Sequence, residues 1–140
     1  MEIEHIKNSI LEIRGLKVIL DFELAKMYQV ETKRLKESVR RNSRRFPVDF
    51  MFELTQDEWT NLRSQIATSS WGGKRYPPFA LTEQGIAMLS SVLNSEVAID
   101  VNISIMRAFV MMRQWAHYLN RRLRYACHGI LLSLLVFPVD

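Results

Sequence analysis

Apolar and polar positions fall in short, well-punctuated blocks along this chain. Ile10-Leu-Glu-Ile-Arg14 and Leu16-Lys-Val-Ile-Leu20 flank Gly15 and are rich in β-branched and aliphatic residues, which predicts a short hairpin. Asp21 is placed to cap a helix through Tyr28, on which Leu24, Ala25 and Tyr28 share a face. Gln29-Val30-Glu31 interrupts that pattern, and a second helix begins near Thr32 and ends before Pro47. Pro47-Val-Asp49 predicts a turn and Phe50 to Leu54 a strand. Thr55 and Glu58 stand at capping-box spacing, ahead of a helix through Trp59 and Leu62. Ser64 to Pro78 is polar, serine-rich and glycine-containing, which predicts a loop or irregular hairpin. Phe79-Ala-Leu81 reads as a strand. Thr82 then caps a helix to about Leu93, and Ser95 caps another from Glu96 to about Tyr118. This last helix is apolar on most sides, through residues such as Val97, Ile99, Val101, Ile105, Phe109 and Val110, so it is expected in the core or against another subunit.

The elements together predict an α+β fold: a small mixed domain with short strands and a hairpin, a basic helix in a helix-turn-helix-like setting, and a long apolar helix at the end. Residues 1–9 read as a lead-in and 10–113 as the domain. Residues 114–140 form a tail of different composition, with basic Arg121-Arg-Leu-Arg124 followed by apolar Ile130 to Phe137. That tail is expected to be weakly ordered or an addition to the domain, and its composition suggests a truncated or out-of-frame remnant.

Charge changes the picture at one place. The net charge of the 140 residues is +4, from 19 basic and 15 acidic side chains. Seven of the basic ones (Lys33, Arg34, Lys36, Arg40, Arg41, Arg44 and Arg45) lie in one window that holds a single acid, Glu37. The remainder carries 12 basic and 14 acidic residues, so the basicity is local, as a binding footprint would be. On a wheel of about 100° per residue, Leu35, Val39 and Phe46 share a narrow stripe and the basic side chains cover roughly the opposite half. Like charges three and four residues apart repel unless a polyanion answers them. The bland alternative is a solvated face, which usually mixes signs; this one fits a nucleic acid better, with arginine and lysine neutralising phosphates and arginine able to contact guanine. Leu24-Ala25, Tyr28 and Val30, followed by Leu35 and Val39, have helix-turn-helix spacing, although Gln29-Val30 stands where a glycine is frequent. That spacing puts Thr32, Lys33, Arg34 and Lys36 at the base-reading end, and Arg40, Arg41, Arg44 and Arg45 at the phosphate-holding end.

Composition narrows the remaining classes. A single cysteine, Cys127, excludes an intramolecular disulfide framework and fits a reducing compartment. The acidic Met1-Glu-Ile-Glu4 start does not resemble a secretory signal, and no apolar run approaches the roughly 20 residues that span a bilayer. A cytoplasmic protein without membrane contact is the expectation.

Several motifs occur in one order: Ile13-Arg-Gly15, Asp21-x-x-Leu24-Ala25-x-x-Tyr28-x-Val30, Arg45-Phe-Pro-x-Asp-Phe-Met-Phe52, Leu62-Arg-Ser-Gln65, Thr82-Glu-Gln-Gly85, Met88-Leu-Ser-Ser-Val-Leu-Asn94 and Ile105-Met-Arg-Ala-Phe109. Over about Ile10 to Arg113 the chain resembles the open-reading-frame-six N-terminal domain of phages and bacteria, related to the KilA-N and Bro-N domains of phage antirepressors and large DNA viruses. The resemblance implies a mixed α/β DNA-binding domain at the front of a prophage-type transcriptional regulator or antirepressor. Such proteins commonly continue into a long charged helix or a separate domain, and this chain departs from that pattern after Tyr118.

Other candidates carry less. Lys74-Arg75, beside Trp71 and Gly72-Gly73, could be a second DNA contact in the manner of a wing, or two solvated cations in a turn. Ser69 and Ser70 lack the histidine and acid of a nucleophilic site. His5, His117, Cys127 and His128 lack paired ligand spacing, so neither metal nor cofactor is expected. Scattered carboxylates do not suggest a nuclease, and no enzymatic activity is expected. The alternative to a DNA reader is a protein-interaction antirepressor that binds a repressor through the 96–118 helix, a surface that also suits a homodimer.

Overall fold

Two residues make the first reversal of the chain. Arg14 and Gly15 both take positive φ, 55° and 75°, and turn β1 (Leu11–Ile13) into β2 (Leu16–Leu20). A left-handed pair is what a two-residue hairpin needs to match the twist of its strands. Gly15 takes that geometry without penalty. Arg14 is held in it by a two-bonded pair with Glu58, at 2.9 and 2.7 Å, and lies 4.3 Å over the Phe52 ring. The computed structural model describes residues 2–65 and 76–136, with side chains described through Cys127.

The hairpin forms one side of a four-stranded antiparallel sheet of order β1-β2-β4-β3, completed by β4 (Phe79–Thr82) and β3 (Met51–Glu53). β4 is central, pairing Ile19 with Leu81 on one side and Phe52 with Ala80 on the other. Alternation along the strands sorts the apolar side chains onto two faces. Ile19, Phe79 and Leu81 join the larger core, while Val18, Leu20, Ala80 and Phe52 join the smaller one. Every residue of β4 is therefore buried.

α4 (Gln56–Gln65) covers the smaller core with Trp59, fully buried and tilted against Phe22 at 6.0 Å. Its start is the expected capping box: Glu58 N–H donates to the Thr55 hydroxyl at 3.1 Å, and Thr55 N–H to the Glu58 carboxylate at 2.9 Å. The other helices cover the larger core: α1 (Ile3–Ser9), α2 (Asp21–Tyr28), α3 (Thr32–Arg41), α5 (Glu83–Val92) and α6 (Glu96–Val136). Ile6 of α1 is fully buried in that core, so the lead-in segment contributes to it. Thr82 caps α5 by accepting from Gly85 N–H, and Ser95 caps α6 by accepting from Ala98 N–H. Gly85 is required by packing: a Cβ there would collide with the Phe50 carbonyl oxygen, which Thr82 holds through its N–H and its hydroxyl, each at 3.0 Å.

Four expectations change. Asp21 does not cap α2; Leu20 stands at the cap, and the Asp21 carboxylate turns inward. The basic segment does not run as one helix to Phe46: α3 ends at Arg41, and Ser43–Arg45 forms a separate 3-10 turn. α6 does not stop at Tyr118. Leu119 to Ala126 contains no proline or glycine and is rich in arginine and leucine, so the change in composition does not break the helix. Nor is α6 buried all round. Ala98, Val101, Asn102, Ile105, Ala108 and Phe109 face the core, whereas Val97, Ile99, Ile103, Val110 and Met111 are 40–48% exposed.

Candidate nucleic-acid interface

The turn between α2 and α3 solves its geometry without glycine. Gln29 takes the left-handed conformation, φ 58° and ψ 40°. Its neighbour Val30 donates its N–H to the Ala25 carbonyl at 3.0 Å, and Gln29 donates to the Lys26 carbonyl at 3.2 Å. This closes α2 with the hydrogen bonds of a Schellman motif and sends the chain directly into α3. Leu35 and Val39, 0% and 1% exposed, dock α3 on the larger core beside Phe46, leaving the opposite side outward.

The seven cations of this region are not equivalent. Lys36 is turned inward, its ammonium 3.3 Å from the carboxylate of Asp21, which is 1% exposed. The same carboxylate oxygen accepts from Phe79 N–H at 3.0 Å. Asp21 thus joins α2, α3 and the start of β4. Lys36 also sits 4.9 Å from the Phe79 ring centroid and Arg40 5.5 Å, so both lean toward that ring. Arg45 donates to the Ser91 hydroxyl of α5 at 2.6 Å. Lys33, Arg34, Arg41 and Arg44 are exposed and make no hydrogen bond or ion pair among the described residues. Thr32, partly exposed, opens the helix. Arg34 borders a cleft of about 260 Å³ with Tyr28, Ser38, Asn94 and Ser95. Lys74 and Arg75, with Trp71 and the glycines before them, lie outside the described residues.

Sequence reasoning missed the role of Asp21. The signal was present: an acid set within Val18-Ile-Leu-Asp-Phe22, where a solvated carboxylate is out of place. A second buried polar contact links α2 to α6, where the Tyr28 hydroxyl donates to the Asn102 side-chain oxygen. Burial there pushes the Tyr28 phenol above its ordinary value.

These elements, from the hairpin through α5, coincide with a family match: the ORF6N domain model matches residues 8–92. The chain belongs to the ORF6N domain family. The ORF6N match, phage-related in kind, takes in the sheet, the α2–turn–α3 unit and the Gly85 contact, and it ends where α5 ends. Ile105 to Phe109, and the rest of α6, lie beyond it. No curated protein and no solved structure matches the chain. Within the ORF6N region, Asp21, Thr82 and Gly85 have structural tasks, whereas Lys33, Arg34, Arg41 and Arg44 make no hydrogen bond or ion pair among the described residues. Among the described residues no helix is long and apolar enough to cross a membrane, and no three histidine, cysteine or acidic side chains cluster as metal ligands.

Proposed function

We propose that this ORF6N-family chain is a non-enzymatic DNA-binding protein of a prophage-type regulatory system, and that it grips duplex DNA through α3. The observation that carries this reading is a set of four exposed cations, unpaired among the described residues: Lys33, Arg34 and Arg41 on α3, a helix fixed by two fully buried side chains, and Arg44 in the 3-10 turn that follows. Four such charges within a stretch of about three helical turns raise the energy of the free protein and lower it on a polyanion. Fixing the helix through Leu35, Val39 and the Asp21–Lys36 pair supplies a pre-organised surface, so little ordering entropy opposes binding. Arg45 and Arg40, partly engaged by Ser91 and Phe79, flank that surface and suit phosphate contacts.

The test is a salt titration of binding to a duplex. Each phosphate neutralised contributes about 0.9 to the slope of log affinity against log salt. Replacing Arg41 and Arg44 together with Ala should flatten the slope by about 2 and leave the fold intact. An unchanged slope and affinity would remove α3 from the contact surface.

A second reading is favoured by the exposed apolar side chains of α6, Ile99, Ile103 and Val110 among them. They suit a protein partner, a repressor in an antirepressor role or a second copy of the chain. This reading predicts co-purification with a protein and no retention on duplex DNA at moderate salt.

A further inference from the structure

The position of α3 opposite its buried seam is an acid, Glu37, which is half-buried where Lys33 and Arg41 are exposed. Taking about 100° per residue, Glu37 lies about 180° from the centre of the Leu35–Val39 seam, with Lys33 and Arg41 about 40° to either side. Lys36 and Arg40 lean toward the Phe79 ring, and Arg34 borders the cleft on the opposite flank. The row along the crest of the helix is therefore Lys33, Glu37, Arg41.

Lys33 and Arg41 each stand four residues from Glu37, the spacing at which a helix forms ion pairs. Glu37 nevertheless makes no ion pair or hydrogen bond among the described residues. Its carboxylate is not used to hold the helix or to quench its neighbours. On a surface that faces phosphates an unpaired carboxylate opposes binding, unless it reaches past the backbone to a donor on a base. A carboxylate only accepts hydrogen bonds, and the exocyclic amino group that cytosine presents in the major groove is its complement.

We infer that Glu37 is a specificity residue that accepts a hydrogen bond from the N4 amino group of one cytosine in the major groove. Lys33 and Arg41 lie beside it on the crest. The inference rests on the proposal that α3 enters the major groove of duplex DNA. Glu37 thus lowers affinity for duplex in general and restores it at sites with cytosine in register. Selectivity arises from rejection of the other bases as much as from attraction to the right one.

The test is selection from random duplex pools with the wild-type chain and with Glu37→Gln, followed by titrations on the wild-type winner. Glutamine carries both donor and acceptor and suits adenine. The wild-type motif should contain one position fixed as cytosine, and Glu37→Gln should change it to adenine or no preference while the other positions persist. Replacing that cytosine with an analogue lacking the N4 amino group should weaken wild-type binding about 5- to 150-fold, and Glu37→Gln far less. Glu37→Gln should also bind non-specific duplex more tightly than wild type, since it removes a negative charge. An identical motif from both proteins would overturn the role of Glu37 and leave DNA binding by α3 standing. If neither folded protein is retained by any duplex, both readings fall. Matching thermal unfolding of the two proteins establishes that the comparison concerns recognition.

Discussion

Replacing Asp21 with Ala should be among the most damaging single changes in the domain. The carboxylate is 1% exposed and satisfies two donors on different elements, Lys36 of α3 at 3.3 Å and Phe79 N–H of β4 at 3.0 Å. Removing it leaves a buried amide without a partner, which costs about 1–3 kcal/mol. It also leaves an ammonium whose side chain is only 19% exposed. Breaking a buried pair from one side costs about 3–5 kcal/mol, and the partial exposure of Lys36 puts this one near the lower end. A domain of this size holds only about 5–15 kcal/mol in total. At roughly 3–4 °C per kcal/mol, the melting temperature should fall by about 10 °C or more. Asp21→Asn keeps an oxygen for the Phe79 amide and should lose less. Urea unfolding followed by the tryptophan signal measures both variants. A loss below about 1 kcal/mol for Asp21→Ala would refute the idea that this carboxylate holds α3 against the sheet.

Four further outcomes are expected. The Arg14 guanidinium, helped by the Thr55 N–H, holds the Glu58 carboxyl down at about 2. Its folded value lies below its unfolded one, so this stabilisation is present above the ordinary carboxylate range and drains away as pH falls toward 2. Arg14→Ala should therefore lower the melting temperature at pH 7 with a gap that closes toward pH 2, and a gap independent of pH would refute the linkage. Gly85→Ala should destabilise by about 1–3 kcal/mol despite better helix propensity, because the obstruction is the Phe50 backbone; thermal melts read it directly. Tyr28→Phe should cost about 1–3 kcal/mol, since it strands Asn102, whose side-chain nitrogen already lacks a partner among the described residues. Adding Asn102→Leu should recover most of that loss in urea unfolding, and a double variant worse than the single one would argue against it. Gln29→Gly should raise stability by about 0.5–1 kcal/mol, because the left-handed turn then carries no Cβ.

Much of the fold was legible because its signals are local. Gly15 between two aliphatic runs, Thr55 with Glu58, and Thr82 and Ser95 ahead of apolar helices each specify an element over a few residues. The seam of Leu35 and Val39 was equally plain, since a period near 3.6 needs only one helix to be seen. What was not legible depends on residues far apart. Asp21 looks like a cap until Phe79 and Lys36 are brought to it. Lys36 looks like one more cation until that carboxylate draws it inward. The turn at Gln29 needed no glycine because two backbone hydrogen bonds hold the left-handed residue in place. The length of α6 is hidden for a different reason: a change in composition resembles a boundary, although helix continuation asks only that no residue forbids it. Within the candidate site, the sequence identified the helix and its charge. Which cations are free had to come from packing.

The pairing of β2 with β4 also sets when the surface on α3 comes into being. Val18 meets Thr82, so the central strands join across more than sixty residues of intervening chain. The β1–β2 hairpin and the α2–α3 unit close over a few residues and can form quickly, whereas the β2–β4 pairing waits for a long closure. During synthesis the basic segment leaves the ribosome well before Phe79, the residue whose amide and ring engage Asp21, Lys36 and Arg40. Until β4 arrives, α3 is charged but unanchored, and a released fragment ending at Gln65 is expected to bind duplex no better than any basic peptide of its charge. On the proposed reading of α3, binding competence is thus acquired late, and a half-built domain is expected not to engage duplex specifically.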